Sequence, residues 1–121
     1  KNDIFSVKDK TGKMIGYAFL ASGNGYQGTI RLLAGADPGL TELKGMEVLE
    51  SQETPGLGAE IANNPFKGQF NGLSVKHNIE YVKNAKPDKP YEIEAITGAT
   101  ISSRAVVNIL NGALEKVRSK I

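Results

Sequence analysis

The sequence predicts an α+β fold: a twisted, mainly antiparallel sheet with a packed C-terminal helix and short additional helices. Two observations carry this. The first half of the chain is a series of short apolar segments separated by turn signals, and the C-terminal stretch repeats apolar residues at helical spacing. A chain of 121 residues supplies one real core and is too short for two comfortable ones, so a single domain over residues 1–121 is expected.

The elements follow in order. Phe5 to Lys8 and Met14 to Ala21 are apolar-rich, and Asp9-Lys10-Thr11-Gly12 between them is turn-like, which predicts a β-hairpin. Ser22-Gly23-Asn24-Gly25 reads as a glycine-rich break. Gln27 to Ala34 is a strand, Asp37-Pro38-Gly39 a turn, and Met46 to Glu50 a further strand. Thr54-Pro55-Gly56-Leu57-Gly58 is irregular, and Ala59 to Asn63 has the makings of a short helix stopped by Asn64-Pro65. Phe66 to Phe70 is ambiguous. Asn71-Gly72 is a strong turn signal, so Leu73 to His77 is expected as a strand, with Ile79 to Val82 either its partner or a helical turn. Lys86-Pro87-Asp88-Lys89-Pro90 is a stiff surface loop leading into Tyr91 to Ile96. The final segment is the clearest helix, beginning near Ile101. Val106, Leu110, Ala113 and Val117 form one apolar face, while Arg104, Asn108, Asn111 and Glu115 lie elsewhere. Gly112 within it costs about 1 kcal/mol relative to Ala, tolerable where the helix backbone packs closely.

Composition removes several function classes. Fifteen basic residues against 13 acidic leave a net charge of +2, and the lysines are scattered, which argues against nucleic acid as a partner. The absence of cysteine excludes disulfides, thiolate metal sites and thiol nucleophiles. The single histidine, His77, cannot build a histidine cluster and is read as a surface or structural residue; no metal site is expected. The chain lacks a membrane-span-length apolar run, and it opens on Lys1 without a methionine, which suggests the soluble part of something longer.

The most informative run is Thr97-Gly98-Ala99-Thr100, followed by Ile101-Ser102-Ser103-Arg104 and the apolar helix. Helix starts offer unpaired N–H groups and the positive end of the macrodipole, so a phosphate can be held there. The same residues also make an ordinary N-cap, with Gly98 relieving a turn. Two glycine-rich loops, Gly23 to Tyr26 and Glu53 to Gly58, would suit the rest of such a ligand, with Tyr26 stacking on a flat ring and Leu57 covering its other side. Taken alone, Tyr26 is more readily a half-buried strand residue than a stacking one, and Glu53 and Glu94 are solvated carboxylates. No histidine stands near a nucleophile, so a hydrolase ranks low and no catalytic residue is assigned.

The run Glu94-Ala95-Ile96-Thr97-Gly98-Ala99-Thr100-Ile101-Ser102-Ser103 closely resembles the flavinylation motif of FMN-binding domains, found in the G subunit of the Rnf electron-transport complex and the C subunit of the sodium-pumping NADH:quinone reductase. Glu53-Thr54-Pro55-Gly56-Leu57-Gly58 resembles a second hallmark of that family, and Gly25-Tyr26-Gln27-Gly28 with Thr29-Ile30 a third. One departure is Glu94, where the family usually has Asp: the charge is kept and displaced.

The resemblance implies an FMN joined through its phosphate to Thr100 by a flavin transferase that uses FAD and Mg²⁺. Thr97, Gly98, Ala99, Ser102 and Ser103 would surround the attachment point, and Tyr26, Glu53, Thr54 and Leu57 would contact the ring. It further implies an electron-carrying subunit without turnover of its own, at the extracytoplasmic face of the membrane. Its partners would be the other subunits of a ferredoxin:NAD oxidoreductase complex that translocates ions, and its anchor would lie outside this chain. The alternatives are the FMN module of the sodium-pumping reductase or of a multidomain reductase, and a non-redox regulatory domain of the same fold.

Overall fold

The computed structural model describes residues 3–121; Lys1 and Asn2 lie outside the described residues. Strands β1 (Ile4–Lys8), β2 (Met14–Asn24), β3 (Thr29–Ala36) and β4 (Leu43–Ser51) form one antiparallel sheet in the order β1-β2-β3-β4. This confirms the antiparallel first half and the first hairpin, whose turn is organised by Asp9 Oδ1 accepting from the Thr11 and Lys13 N–H groups at 2.9 and 3.0 Å.

Along β3, Ile30, Leu32, Ala34 and Ala36 are all buried and Arg31 is exposed, the alternation of a sheet with one face on the core. Helix α1 (Thr100–Lys120) lies across that face, and Val106, Leu110 and Val117 are buried as the periodicity predicts. Its apolar face is broader than the four-residue stripe, since Ala105, Val107, Ile109 and Leu114 are buried too.

Four sequence expectations need correction. The glycine-rich break is not a break: β2 continues through Ser22 and Gly23 to Asn24, paired with β3 as far as Asn24 against Thr29. Gly23 serves close packing, because a Cβ there would stand 2.7 Å from Ile109 Cγ1 on α1. Leu73 to His77 is not a strand. It makes a single bridge, Ser74 to Glu42, with Val75 donating to the Thr41 carbonyl, and buries Leu73 and Val75 as a cover over the start of β4. Third, β4 is longer than the expected Met46 to Glu50, running from Leu43, which is buried in the core, to Ser51. Finally, Gly112 has open space around it, so no close approach explains it.

The ambiguous Phe66 to Phe70 resolves into a 3-10 turn over Lys67–Phe70, after a first one over Gly58–Ala62. Strand β5 (Glu80–Val82) pairs in parallel with β6 (Glu92–Glu94). Two side-chain amides fix this small sheet. Gln69 donates to the Glu94 carbonyl at 3.0 Å and accepts its N–H at 2.7 Å, while Asn111 of α1 does the same for Ile79 at 3.0 and 2.8 Å. Each amide satisfies a backbone pair that no neighbouring strand reaches. His77 is exposed and stacks on Tyr91, with ring centroids 3.9 Å apart.

Candidate functional site

The β2–β3 connection, the chain after β4 and the first turn of α1 converge. The connection is closed by Gly25 N–H to the Gly28 carbonyl at 2.7 Å, which leaves Tyr26 and Gln27 at its tip. After β4, Leu57 N–H reaches the Thr54 carbonyl at 3.0 Å, and Gly56 takes φ +78°. Proline second and a positive-φ glycine third are the signature of a type II turn, so Thr54-Pro55-Gly56-Leu57 is irregular for a local reason.

The first helical residue is Thr100 itself, with Ala99 at the N-cap and no side-chain capping bond. The ordinary-cap reading of Thr100 is therefore set aside. Ala99 N–H is used by the Ile96 carbonyl, and intrahelical bonding begins with Ser103 N–H to the Ala99 carbonyl at 3.1 Å. The N–H groups of Thr100, Ile101 and Ser102 are thus left without helical acceptors. Gly98 precedes them at φ +83°, a left-handed conformation that glycine adopts without strain.

A cleft of about 460 Å³ opens between these segments, lined by Tyr26, Thr54, Leu57, Gly58, Gly98, Ala99, Thr100, Ile101 and Ser102. That volume lies within the range of about 300–1,000 Å³ usual for small-molecule and cofactor sites. Its rim is apolar and open: Tyr26 is 64% exposed, Leu57 46% and Ile101 45%. A phosphate fits the three free N–H groups and a flat apolar ring fits the rim.

Of the residues singled out in the sequence, Tyr26, Thr54, Leu57, Gly98, Ala99, Thr100 and Ser102 share this cleft. Thr97, Ser103 and Glu53 are not among its lining residues. Thr97 is exposed beside it. Ser103 is fully buried, its hydroxyl donating to the Ala99 carbonyl and accepting from Ile96 N–H, both at 2.9 Å, so it splices the Thr97 loop onto the helix. Glu94 sits in β6, also outside the lining. Sequence reasoning had Gly58 only as the end of the Glu53 to Gly58 loop and did not single out Ile101 as a lining residue. Ile101 carried a faint signal, an apolar residue out of phase with the Val106–Val117 face.

Glu53 corrects the expectation of a solvated carboxylate. It is 5% exposed, and its oxygens accept from Tyr26 N–H at 2.8 Å, Gln27 N–H at 2.8 Å, Gly28 N–H at 3.3 Å and Ser102 Oγ at 2.5 Å. Burial by itself would raise its pKa. The Ser102 hydroxyl and then the N–H groups of Tyr26, Gln27 and Gly28 outweigh that, and hold the carboxyl below its ordinary value. Ser102 in turn has its hydroxyl proton committed to Glu53, so toward the cleft it offers its backbone N–H.

An apolar-rimmed cleft beside unpaired helix N–H groups has the chemistry to take a phosphorylated cofactor. The chain belongs to the FMN-binding domain family, whose profile matches residues 25–115. It is 39% identical over 112 residues to the G subunit of the ion-translocating oxidoreductase complex of Methanosarcina acetivorans, covering 93% of this chain and 56% of that protein. It is 37% identical over 112 residues to the G subunit of the Na(+)-translocating ferredoxin:NAD(+) oxidoreductase complex of Acetobacterium woodii, covering 90% and 52%. Among solved structures, NqrC of Shewanella oneidensis superposes with a TM-score of 0.81 at 25% identity, covering 89% of this chain and 52% of that one. The chain spans about half the length of the curated relatives it matches.

Proposed function

We propose that this chain carries FMN esterified through its phosphate to the Thr100 hydroxyl and relays electrons within a membrane-bound, ion-translocating ferredoxin:NAD oxidoreductase complex. The observation that carries the reading is the position of Thr100. It is the first residue of α1, uses no side-chain cap, and stands on the cleft between Ala99 and Ile101. Attachment is a phosphoryl-group transfer from FAD by a flavin transferase. A bond forms between Thr100 Oγ and the FMN phosphorus, the pyrophosphate bond breaks, AMP leaves, and the hydroxyl proton is lost.

The Ile101 and Ser102 N–H groups and the N-terminal end of the helix dipole offset the charge of the resulting phosphodiester. Gly98 and Ala99 leave the approach uncrowded. Leu57, Tyr26 and Ile101, exposed at the rim of the cleft, would flank the ring. When bound, the flavin supplies reversible electron transfer, and the protein supplies position and environment. No separate substrate site is needed for such a relay, and standalone turnover is not expected.

Similarity favours the G-type over the C-type relatives. Three proteins named as the G component of their complexes are 35–39% identical, whereas the C component of the Na(+)-translocating NADH-quinone reductase of Haemophilus ducreyi is 29% identical. Within the proposal the partners are the remaining subunits of such a complex and the transferase. Within the same proposal the domain stands at the extracytoplasmic face of the membrane.

The test is intact mass after coexpression with a flavin transferase. The chain should gain one FMN phosphoester and Thr100→Ala none. An unmodified chain, or a modified Thr100→Ala protein, overturns the reading.

A further inference from the structure

We infer that Glu53 is the positioning residue of the flavin cleft, a buried clamp that sets the spacing of its two walls without being part of the lining. This rests on the flavin reading above; the motif resemblance gives Glu53 a ring contact, and the inference instead assigns it a role behind the cleft lining.

The geometry is specific. Tyr26, at the tip between β2 and β3, forms one wall, and the first turn of α1, with Thr100 to Ser102, forms the other. Among the described residues no hydrogen bond joins these walls directly; each instead donates to Glu53. Oε1 takes Tyr26 N–H at 2.8 Å and Ser102 Oγ at 2.5 Å, so one oxygen bridges the ring side to the phosphate side. Oε2 takes Gln27 N–H at 2.8 Å and Gly28 N–H at 3.3 Å, which fixes the tip against rotation.

Two glycines leave room for the Glu53 side chain. A Cβ on Gly25 would lie 2.8 Å from Oε1, and one on Gly58 would lie 2.9 Å from Glu53 Cβ. Only a carboxylate suits this cage. Four donors converge on two acceptor oxygens, and an amide of the same shape would turn its NH₂ toward N–H groups. A residue that held the fold together in general would serve as well on any part of the sheet. This one joins the two walls that meet the ring and the phosphate, so its loss should be felt in the flavin's surroundings.

The experiment compares the chain with Glu53→Gln and with Ser102→Ala, each incubated with transferase, FAD and Mg²⁺. Three quantities are read: the rate of mass gain normalised to folded protein, the fluorescence anisotropy and yield of the attached flavin, and its midpoint potential. Positioning predicts that the folded Glu53→Gln protein is modified about tenfold more slowly, as misplacement of reacting groups by a fraction of an ångström allows. Its attached flavin should also show lower anisotropy, higher yield and a shifted potential. Ser102→Ala, which frees the helix wall alone, should shift the same quantities less.

Modification of Glu53→Gln at the normal rate, with unchanged anisotropy, yield and potential, overturns the inference and leaves the flavin reading standing. An unmodified parent chain overturns the flavin reading itself. Should Glu53→Gln fail to fold, Ser102→Ala decides: unchanged flavin signals overturn the clamp, and changed ones support it.

Discussion

Gly58→Ala and Gly112→Ala are the same chemical change in the same domain, and the structure assigns them opposite signs. A Cβ at Gly58 would stand 2.4 Å from Ser102 Oγ, 3.1 Å from Ser102 Cβ and 2.9 Å from Glu53 Cβ. None of these is the free end of a flexible chain, because Ser102 is 3% exposed and its hydroxyl is bound to Glu53. Relief requires the serine to turn away or the Gly58–Ala62 turn to move. Overpacking of this kind costs about 1–3 kcal/mol. Breaking the hydroxyl-to-carboxylate bond costs about 1.5–3 kcal/mol, and the two overlap because one movement produces both. The expected loss is about 2–4 kcal/mol. At Gly112 a Cβ meets nothing within 4 Å, and the residue is helical and exposed, so Ala should stabilise by about 0.5–1 kcal/mol through helix propensity and reduced unfolded-chain entropy. Urea unfolding at neutral pH, with the slope checked for constancy, measures both. A Gly58→Ala protein within about 0.5 kcal/mol of the parent, by the measure of ordinary surface changes, would refute the packing reasoning. So would a Gly112→Ala protein that loses stability.

Acid should weaken the domain in a defined window. The Glu53 and Asp37 carboxyls are held below their ordinary values of 4.5 and 3.8, so both contribute stability that is complete above those values and lost as pH falls through the folded ones. Chemical unfolding between neutral pH and the acid range should show the decline, and Glu53→Gln should flatten its Glu53 part; a parent chain equally stable at both ends contradicts it. Asn111→Ala should cost about 1–3 kcal/mol, since it strips both partners from the Ile79 backbone between α1 and β5. Hydrogen exchange at Ile79 should rise with it, and unchanged protection there would show that the amide contributes nothing.

Much of the fold was legible because it rests on local periodicity. Val106, Leu110 and Val117 announce α1 without reference to anything else, and Asp9 to Gly12 announces the first turn through an aspartate that bonds its own neighbours. Glycines were the weak point. In a sequence Gly23 reads as a break and Gly112 as a packing site; in the structure the first packs against Ile109 and the second faces open space. A missing side chain carries no label for what surrounds it. Leu73 and Val75 misled for a related reason, since two buried residues at strand spacing need a neighbouring strand, and this segment finds only one bridge.

By itself the sequence determined the α+β class, the C-terminal helix and the family resemblance, because each of these is a short-range pattern of residue types. Tertiary structure alone decided which residues reach the cleft and which brace it. Glu53 lies far in sequence from both Tyr26 and Ser102, and no spacing rule links them. The three-dimensional closure of β2, β3, β4 and α1 brings four donors onto one carboxylate, which turns an apparently solvated acid into the buried joint of the site. Burial and hydrogen-bond satisfaction are properties of the assembled core, and they exist only once the chain has folded back on itself.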